Sequence, residues 1–248
     1  MILPLLIALQ AAAPALSDAT EKRFNDCVAL TRSDPEKAVA EADAWRVGGG
    51  LPARMCLGLA YVALERWGPA AVAFEQAANE AEIQRDGRAG TLWVQAGNAA
   101  LAGDDPAKAR GYFDRALVLP VLADEMRGEA YLDRARAQVA VNDLAAARSD
   151  LDEALKLVPR DPMAWLLSAT LARRQKDVGR ARKDIAEAAR LAPQEAPIAY
   201  EEGNVAMLAG NMEQAKAAWT HAATLAPKSD AGQAATRALK DAIAPPQP

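Results

Sequence analysis

The sequence predicts an all-α protein, a solenoid of about six helix-turn-helix repeats with one capping helix at its C-terminal end. Three observations point there. Pro159, Pro193 and Pro227 follow one another at intervals of 34 residues. The same interval relates Ala147, Ala181 and Ala215, then Ala154, Ala188 and Ala222, and the bulky set Leu151, Ile185 and Trp219. A fixed period of about 20–50 residues marks a stacked array, and about 34 is the length of one helical hairpin. Second, no segment alternates apolar and polar residues as a half-buried strand does. Third, 51% of the chain is hydrophobic but only 5% is aromatic, which suits close helix packing on alanine and leucine. A solenoid buries its core between neighbours, so 248 residues need not gather around one centre.

The elements can be justified in chain order. Residues 1–17 read as a secretory signal peptide. Positions 2–15 are uncharged and, apart from Gln10, apolar or small, and 11–17 are rich in small residues. Cleavage before Asp18 or before Leu16 would fit a small-x-small triplet. The alternative is a first repeat helix that starts apolar, with the chain then cytoplasmic. The segment is shorter than the about 20 apolar residues that span a bilayer. Asp18 begins an ordinary polar sequence and the solenoid domain, 18–243. A helix over 19–31 is followed by a second start at Ser33, Asp34, Pro35 and Glu36, where Asp34 caps and Pro35 sits in the first turn. Gly48, Gly49 and Gly50 stop that helix.

The second repeat opens at Leu51 and Pro52, turns at Trp67, Gly68 and Pro69, and carries Ala70, Phe74 and Ala77 on its second helix. The third has Trp93, Ala96, Gly97 and Ala100, a turn at 103–106, then Ala109, Phe113 and Ala116. Spacings of 39 and 38 around it place short insertions near 83–87 and 120–124, between repeats. The fourth turns at Asn142 and Asp143 and carries Ala147, Leu151 and Ala154. The fifth opens at Asp161 and Pro162, with Trp165 filling space between pairs. The sixth turns at Gly210 and Asn211. Ser229 and Asp230 start the capping helix. Residues 244–248 form a flexible Pro-rich tail. The expectation is thirteen helices, six pairs and a cap.

With those residues in view, the chain resembles the tetratricopeptide repeat (TPR) family, in its exported bacterial type. Leu57, Gly58, Tyr61, Ala70, Phe74 and Ala77 match its repeat in the second unit. Trp93, Gly97, Ala109, Phe113 and Ala116 match in the third, Trp165, Ala181, Ala188 and Pro193 in the fifth, and Gly203, Ala215, Ala222 and Pro227 in the sixth. The resemblance implies a right-handed α-solenoid. Small residues at repeat positions 8, 20 and 27 let helices approach, and a bulky residue at position 4 or 24 fills the space between pairs. It also implies a protein-binding scaffold whose first helices line a concave groove. The positions that would face it include Asn98, Leu132, Arg136, Leu166, Thr170, Arg173, Tyr200 and Asn204, with Arg174 beside Arg173. Asparagine amides can bond an extended backbone, and arginine can pair a carboxylate bidentately. The expected ligand is an acidic or C-terminal peptide segment near Arg136, Arg173 and Asn204.

Other functions find little support. The net charge of −4 does not suggest a nucleic-acid or anionic-membrane partner. The single histidine, His221, stands alone, and there is no phosphate loop, G-x-S-x-G or H-E-x-x-H motif. No catalytic residue, metal site or cofactor is expected. Asp150, Asp152 and Glu153 read as an exposed, solubilising face. The protein is therefore expected to be a non-enzymatic interaction scaffold of unknown partner in the periplasm, within an envelope complex or polymer-secretion machine. The alternatives are a regulatory subunit or a divergent enzyme with carboxylates in the groove, and self-association through open solenoid ends. In an oxidising compartment Cys27 and Cys56 could pair. Two small buried thiols that never meet are the other reading.

Overall fold

The computed structural model describes residues 18–243, and among these it contains twelve helices and no strand. The signal-peptide reading of 1–17 and the tail at 244–248 lie outside the described residues. The chain divides into two compact units, Met1–Met126 and Arg127–Pro248. Each is built of helical hairpins.

The first unit holds α1 (Asp18–Ser33), α2 (Pro35–Ala63), α3 (Trp67–Gln84), α4 (Ala89–Ala102) and α5 (Pro106–Val118), each packed on the next in chain order. Helix α2 is two limbs in one. Val47 has an extended ψ of 112°, and Gly48 and Gly50 have φ of 81° and 52°. Those left-handed angles cost an L-residue but not glycine. The limbs behave as separate helices, which is why thirteen expected helices become twelve continuous elements. Asp34 caps the first limb, its carboxylate accepting from the Lys37 N–H at 3.1 Å. The second unit holds most of α6 (Asp124–Ala140), then α7 (Leu144–Leu157), α8 (Pro162–Arg174), α9 (Val178–Leu191), α10 (Ala196–Leu208), α11 (Met212–Leu225) and α12 (Asp230–Ile243). Helix α12 covers α10 and α11 with Ala235, Ala238, Leu239 and Ala242.

One turn recurs inside five hairpins. Glu65, Asp104, Asn142, Lys176 and Gly210 all have φ between 55° and 79°. The following residue's N–H reaches back to a carbonyl five positions earlier, as from Asp105 to Ala100 at 2.9 Å and from Asp177 to Ala172 at 2.9 Å. This satisfies a helix-end carbonyl in the Schellman manner. In the last four of these turns the same residue, Asp105, Asp143, Asp177 or Asn211, then caps the next helix with its side chain. The second repeat differs from expectation. Its turn is at 64–66, and Trp67, Gly68 and Pro69 already belong to the first turn of α3. The missing N–H of Pro69 costs nothing there.

Inside each hairpin, position 8 meets position 24, sixteen residues later. Gly58 faces Phe74, Gly97 faces Phe113 and Gly203 faces Trp219. A Cβ on Gly58 or Gly97 would lie 2.6 or 2.5 Å from a ring atom, and one on Gly203 closer still. Where position 24 is aliphatic, as at Leu151 and Ile185, position 8 is alanine. Ala135 shares a core with Leu151, and Ala169 shares one with Ile185. Ring size and Cβ thus exchange, holding the helices at close contact.

Two expectations about packing need correction. Trp165 packs against the core around Ile185 and Ala188 but is only half-buried, with its indole N–H on the Pro159 carbonyl at 2.9 Å, so it fills the edge of that core and not its centre. Asp150 is buried, not exposed. Both its oxygens accept from Arg134, each at 2.7 Å. That bidentate pair joins α6 to α7 at the register where Ser168 and Asp184 join α8 to α9.

Candidate functional site

Helices α6, α7 and α8 together line a hollow. It has a volume of about 150 Å³ and is lined by Ala135, Arg136 and Val139 of α6, Leu151 of α7, and Leu167, Thr170, Leu171 and Arg174 of α8. The lining is apolar except for Thr170 and the two arginines. Arg136 and Arg174 are exposed, and Arg136 is also paired with Asp133. In the first unit a wider hollow of about 280 Å³ lies among Leu59, Val62, Trp67, Phe74, Gln95, Asn98 and Ala99.

The groove residues expected from the sequence are distributed unevenly. Arg136 and Thr170 come together at the α6–α8 hollow, and Asn98 borders the hollow in the first unit. Leu132 and Leu166 are buried between hairpins and are not open groove surface, because the alanines around them let the backbones close over them. Tyr200 is half-buried against the last core. Arg173 and Asn204 are already engaged. Arg173 Nε donates to Glu201 Oε1 at 2.6 Å, and Asn204 Nδ2 donates to Glu201 Oε2 at 3.0 Å. The Trp219 indole N–H donates to Asn204 Oδ1 at 3.2 Å. The expected triad of Arg136, Arg173 and Asn204 is therefore not a single open site. The sequence reading missed Val139, Leu151, Leu167 and Leu171. Their helical spacing, with Leu167, Thr170, Leu171 and Arg174 on one face of α8, is the signal that marks them.

Cys27 and Cys56 are joined as a disulfide, with Cα atoms 6.2 Å apart. The bond ties α1 to the second limb of α2, and both sulfurs sit in a core with Ala42, Leu57 and Ala73. No group of three or more histidine, cysteine or acidic residues among the described residues is arranged to hold a metal. His221 is exposed on α11.

Glu202, next to the engaged Glu201, is electrostatically unusual. It is half-buried, and burial pushes its carboxyl above the ordinary value of 4.5, while His221 nearby opposes this. A carboxyl raised on folding stabilises the fold when protonated, and that contribution is lost as pH rises through the folded value. Glu202→Gln is accordingly expected to melt above the parent at pH 7. The gap should close as pH falls below 4.5, the ordinary value. Melting curves at both pH values check this, and a gap that is constant with pH would contradict it.

No family model matches the chain, and no curated protein is similar to it in sequence. Solved structures are similar in fold. PilF of Pseudomonas aeruginosa is 16% identical, covers 89% of this chain and all of its own, and superimposes with a TM-score of 0.68. PilW, a widely conserved type IV pilus biogenesis factor, is 19% identical with the same coverage and a TM-score of 0.71. YrrB, a TPR protein with an unusual peptide-binding site, is 17% identical over 75% of this chain and 91% of its own, at a TM-score of 0.57. The chain has the fold of the tetratricopeptide repeat proteins. No helix among the described residues is long and apolar enough to cross a membrane.

Proposed function

We propose that this protein is a non-enzymatic scaffold that binds a partner protein, through an extended segment, in the hollows beside its first helices, on the exported side of the cell envelope. The observation that carries the reading is the α6–α8 hollow, an accessible apolar recess on rigid helices with arginines at its edge. Its lining supplies contact surface and positive charge, which suits recognition better than the carboxylate chemistry a divergent enzyme would use. The export reading is supported by the sequence of residues 1–17 and by the joined cysteines, since disulfides persist in oxidising compartments. The likeness in fold to PilF and to PilW, a pilus biogenesis factor, supports a role in assembling an envelope machine.

The test is fractionation of the native source combined with reciprocal co-purification. The protein is expected in the osmotic-shock fraction, with Cys27 and Cys56 labelled by a thiol reagent only after reduction and unfolding. One partner should retrieve it when that partner carries the tag. A chain that stays with cytosolic markers, has two free thiols and is retrieved by no partner would overturn the reading. Light scattering on the same preparation separates a hetero-complex from self-association.

A further inference from the structure

The turns of the first unit divide between two edges. Consecutive helices there pack on one another through short connections, so the chain reverses at each one. One edge holds the turns inside hairpins, at 33–34, 64–66 and 103–105. Arg66 pairs with Glu36 at 2.6 Å, and a Cβ on Gly103 would lie 3.0 Å from the Trp67 Cβ, so these turns adjoin. The other edge holds the turns between hairpins, at 46–50, 83–88 and 118–123. A Cβ on Gly50 would lie 3.0 Å from Glu80, just before Ile83, and a Cβ on Gly90 would lie 3.2 Å from Val121.

The two edges differ in chemistry. Each turn between hairpins exposes an aliphatic side chain. Val47 is 93% exposed, Ile83 84% and Val118 76%, with Val121 also exposed. One exposed aliphatic residue is ordinary, but one at every turn of an edge makes a patterned surface. Arg46, Arg85 and Arg88 accompany them, and the acid in these turns, Asp86, is buried and paired with Arg88. The opposite edge carries Asp34, Glu65, Asp104 and Asp105, all exposed, against Arg66 alone. The net charge of −4 for the chain averages over this polarity. In the second unit the turns between hairpins hold Pro159 with Arg160, Pro193 with Gln194, and Pro227 with Lys228. None of those three turns exposes a large hydrophobic side chain.

Apolar tips with arginines on one edge, and acids on the other, match the boundary between hydrocarbon and water. Aliphatic side chains enter below lipid headgroups, and arginine reaches the phosphates while its stem stays against apolar surface. Gly48 and Gly87, in two of the turns, have open space where a Cβ would stand, so the tips rise clear of the fold. A bilayer deforms around such convex tips, whereas a folded partner needs a matching recess for each. We propose that the edge bearing Val47, Ile83 and Val118 docks the first unit on a lipid bilayer surface, with the aliphatic tips in the headgroup boundary and Arg46 and Arg85 on lipid phosphates. Such docking is independent of what the α6–α8 hollow holds.

The experiment mixes the exported protein with vesicles of phosphatidylethanolamine and phosphatidylglycerol. Flotation should carry the parent with the vesicles. Val47→Ser, Ile83→Ser and Val118→Ser together should weaken binding about tenfold or more, and Arg46→Glu with Arg85→Glu about fivefold or more. Parent and variants share one N-terminus, so the differences report on the turns and not on residues 1–17. Melting curves should match the parent, because all five side chains are exposed. On bilayer discs with a nitroxide on the acyl chain, the methyl signals of Val47, Ile83 and Val118 should broaden, and that of Leu64, on the acidic edge, should not. No flotation of the parent, unchanged binding by either variant, or equal broadening of Leu64 would each overturn the assignment. A concentration-dependent dimer dissolved by the aliphatic variant, with no lipid binding, would give the edge to a second copy of the chain. A co-purified protein lost from that variant, again with no lipid binding, would give it to that partner. If vesicle binding fails but the parent and the aliphatic variant retrieve the same partner, the scaffold reading stands and only the docking falls.

Discussion

Trp219→Ala is expected to cost about 3–5 kcal/mol, the range for truncating a fully buried tryptophan. Trp219 is 1% exposed and lies against Gly203, Ala215 and Ala222. Removing the ring leaves a void that helices α10 and α11 cannot close, since their separation is set by Gly203 meeting the indole edge. It also strips the N–H that Asn204 accepts, leaving a buried amide oxygen without its donor. The companion variants make the test specific. Gly203→Ala alone should cost about 1–3 kcal/mol by overpacking. Combined with Trp219→Leu it reproduces the pairs Ala135–Leu151 and Ala169–Ile185 that the second unit already contains. The double variant should therefore cost less than the sum of its singles by about 0.5–3 kcal/mol. Urea unfolding of the four proteins gives the cycle, and strict additivity would contradict the exchange between ring size and Cβ.

Removing the disulfide is the second large effect. Cys27 and Cys56 close a separation of 29 residues spanning α1, the kink and part of the second limb of α2. Loop-closure entropy for that length gives about 3–4 kcal/mol of stabilisation at 25 °C. Cys27→Ala with Cys56→Ala should lower the stability of the first unit by that amount, and dithiothreitol should do the same to the parent. Hydrogen exchange resolved by helix reads it, with α1 and the first limb of α2 losing protection first. A parent whose exchange is indifferent to reductant would contradict this role for the bond.

Much of the fold is visible in the sequence because it is local. Turn residues and caps such as Asp105, Asp143 and Asn211 act within one hairpin, and the glycine or alanine at position 8 answers to a residue sixteen places on. The site is less visible because its partners come from the neighbouring hairpin. Arg173 and Arg174 are adjacent and look alike in sequence. Only the placement of Glu201, 28 residues beyond Arg173, shows that the first is engaged. Asn98 and Asn204 occupy the same repeat position, yet only Asn204 is bonded to the ring below it. Trp219 offers an indole N–H, whereas Phe113, in the matching place, has none to give. Asp150 reads as surface for a different reason: its partner Arg134 lies within the same hairpin, but nothing in the sequence marks that arginine as turned toward α7.

Photo-crosslinking in the native source is the most direct check on partner binding beside the first helices. A benzophenone amino acid placed at Thr170, on the α6–α8 hollow, should yield a discrete crosslinked species. The same group at Arg182, on the exposed face of the second helix α9, should not. A crosslink to one partner from Thr170 alone is the expected result. Equal crosslinking from both positions, or capture from Arg182 only, would place the partner elsewhere on the protein.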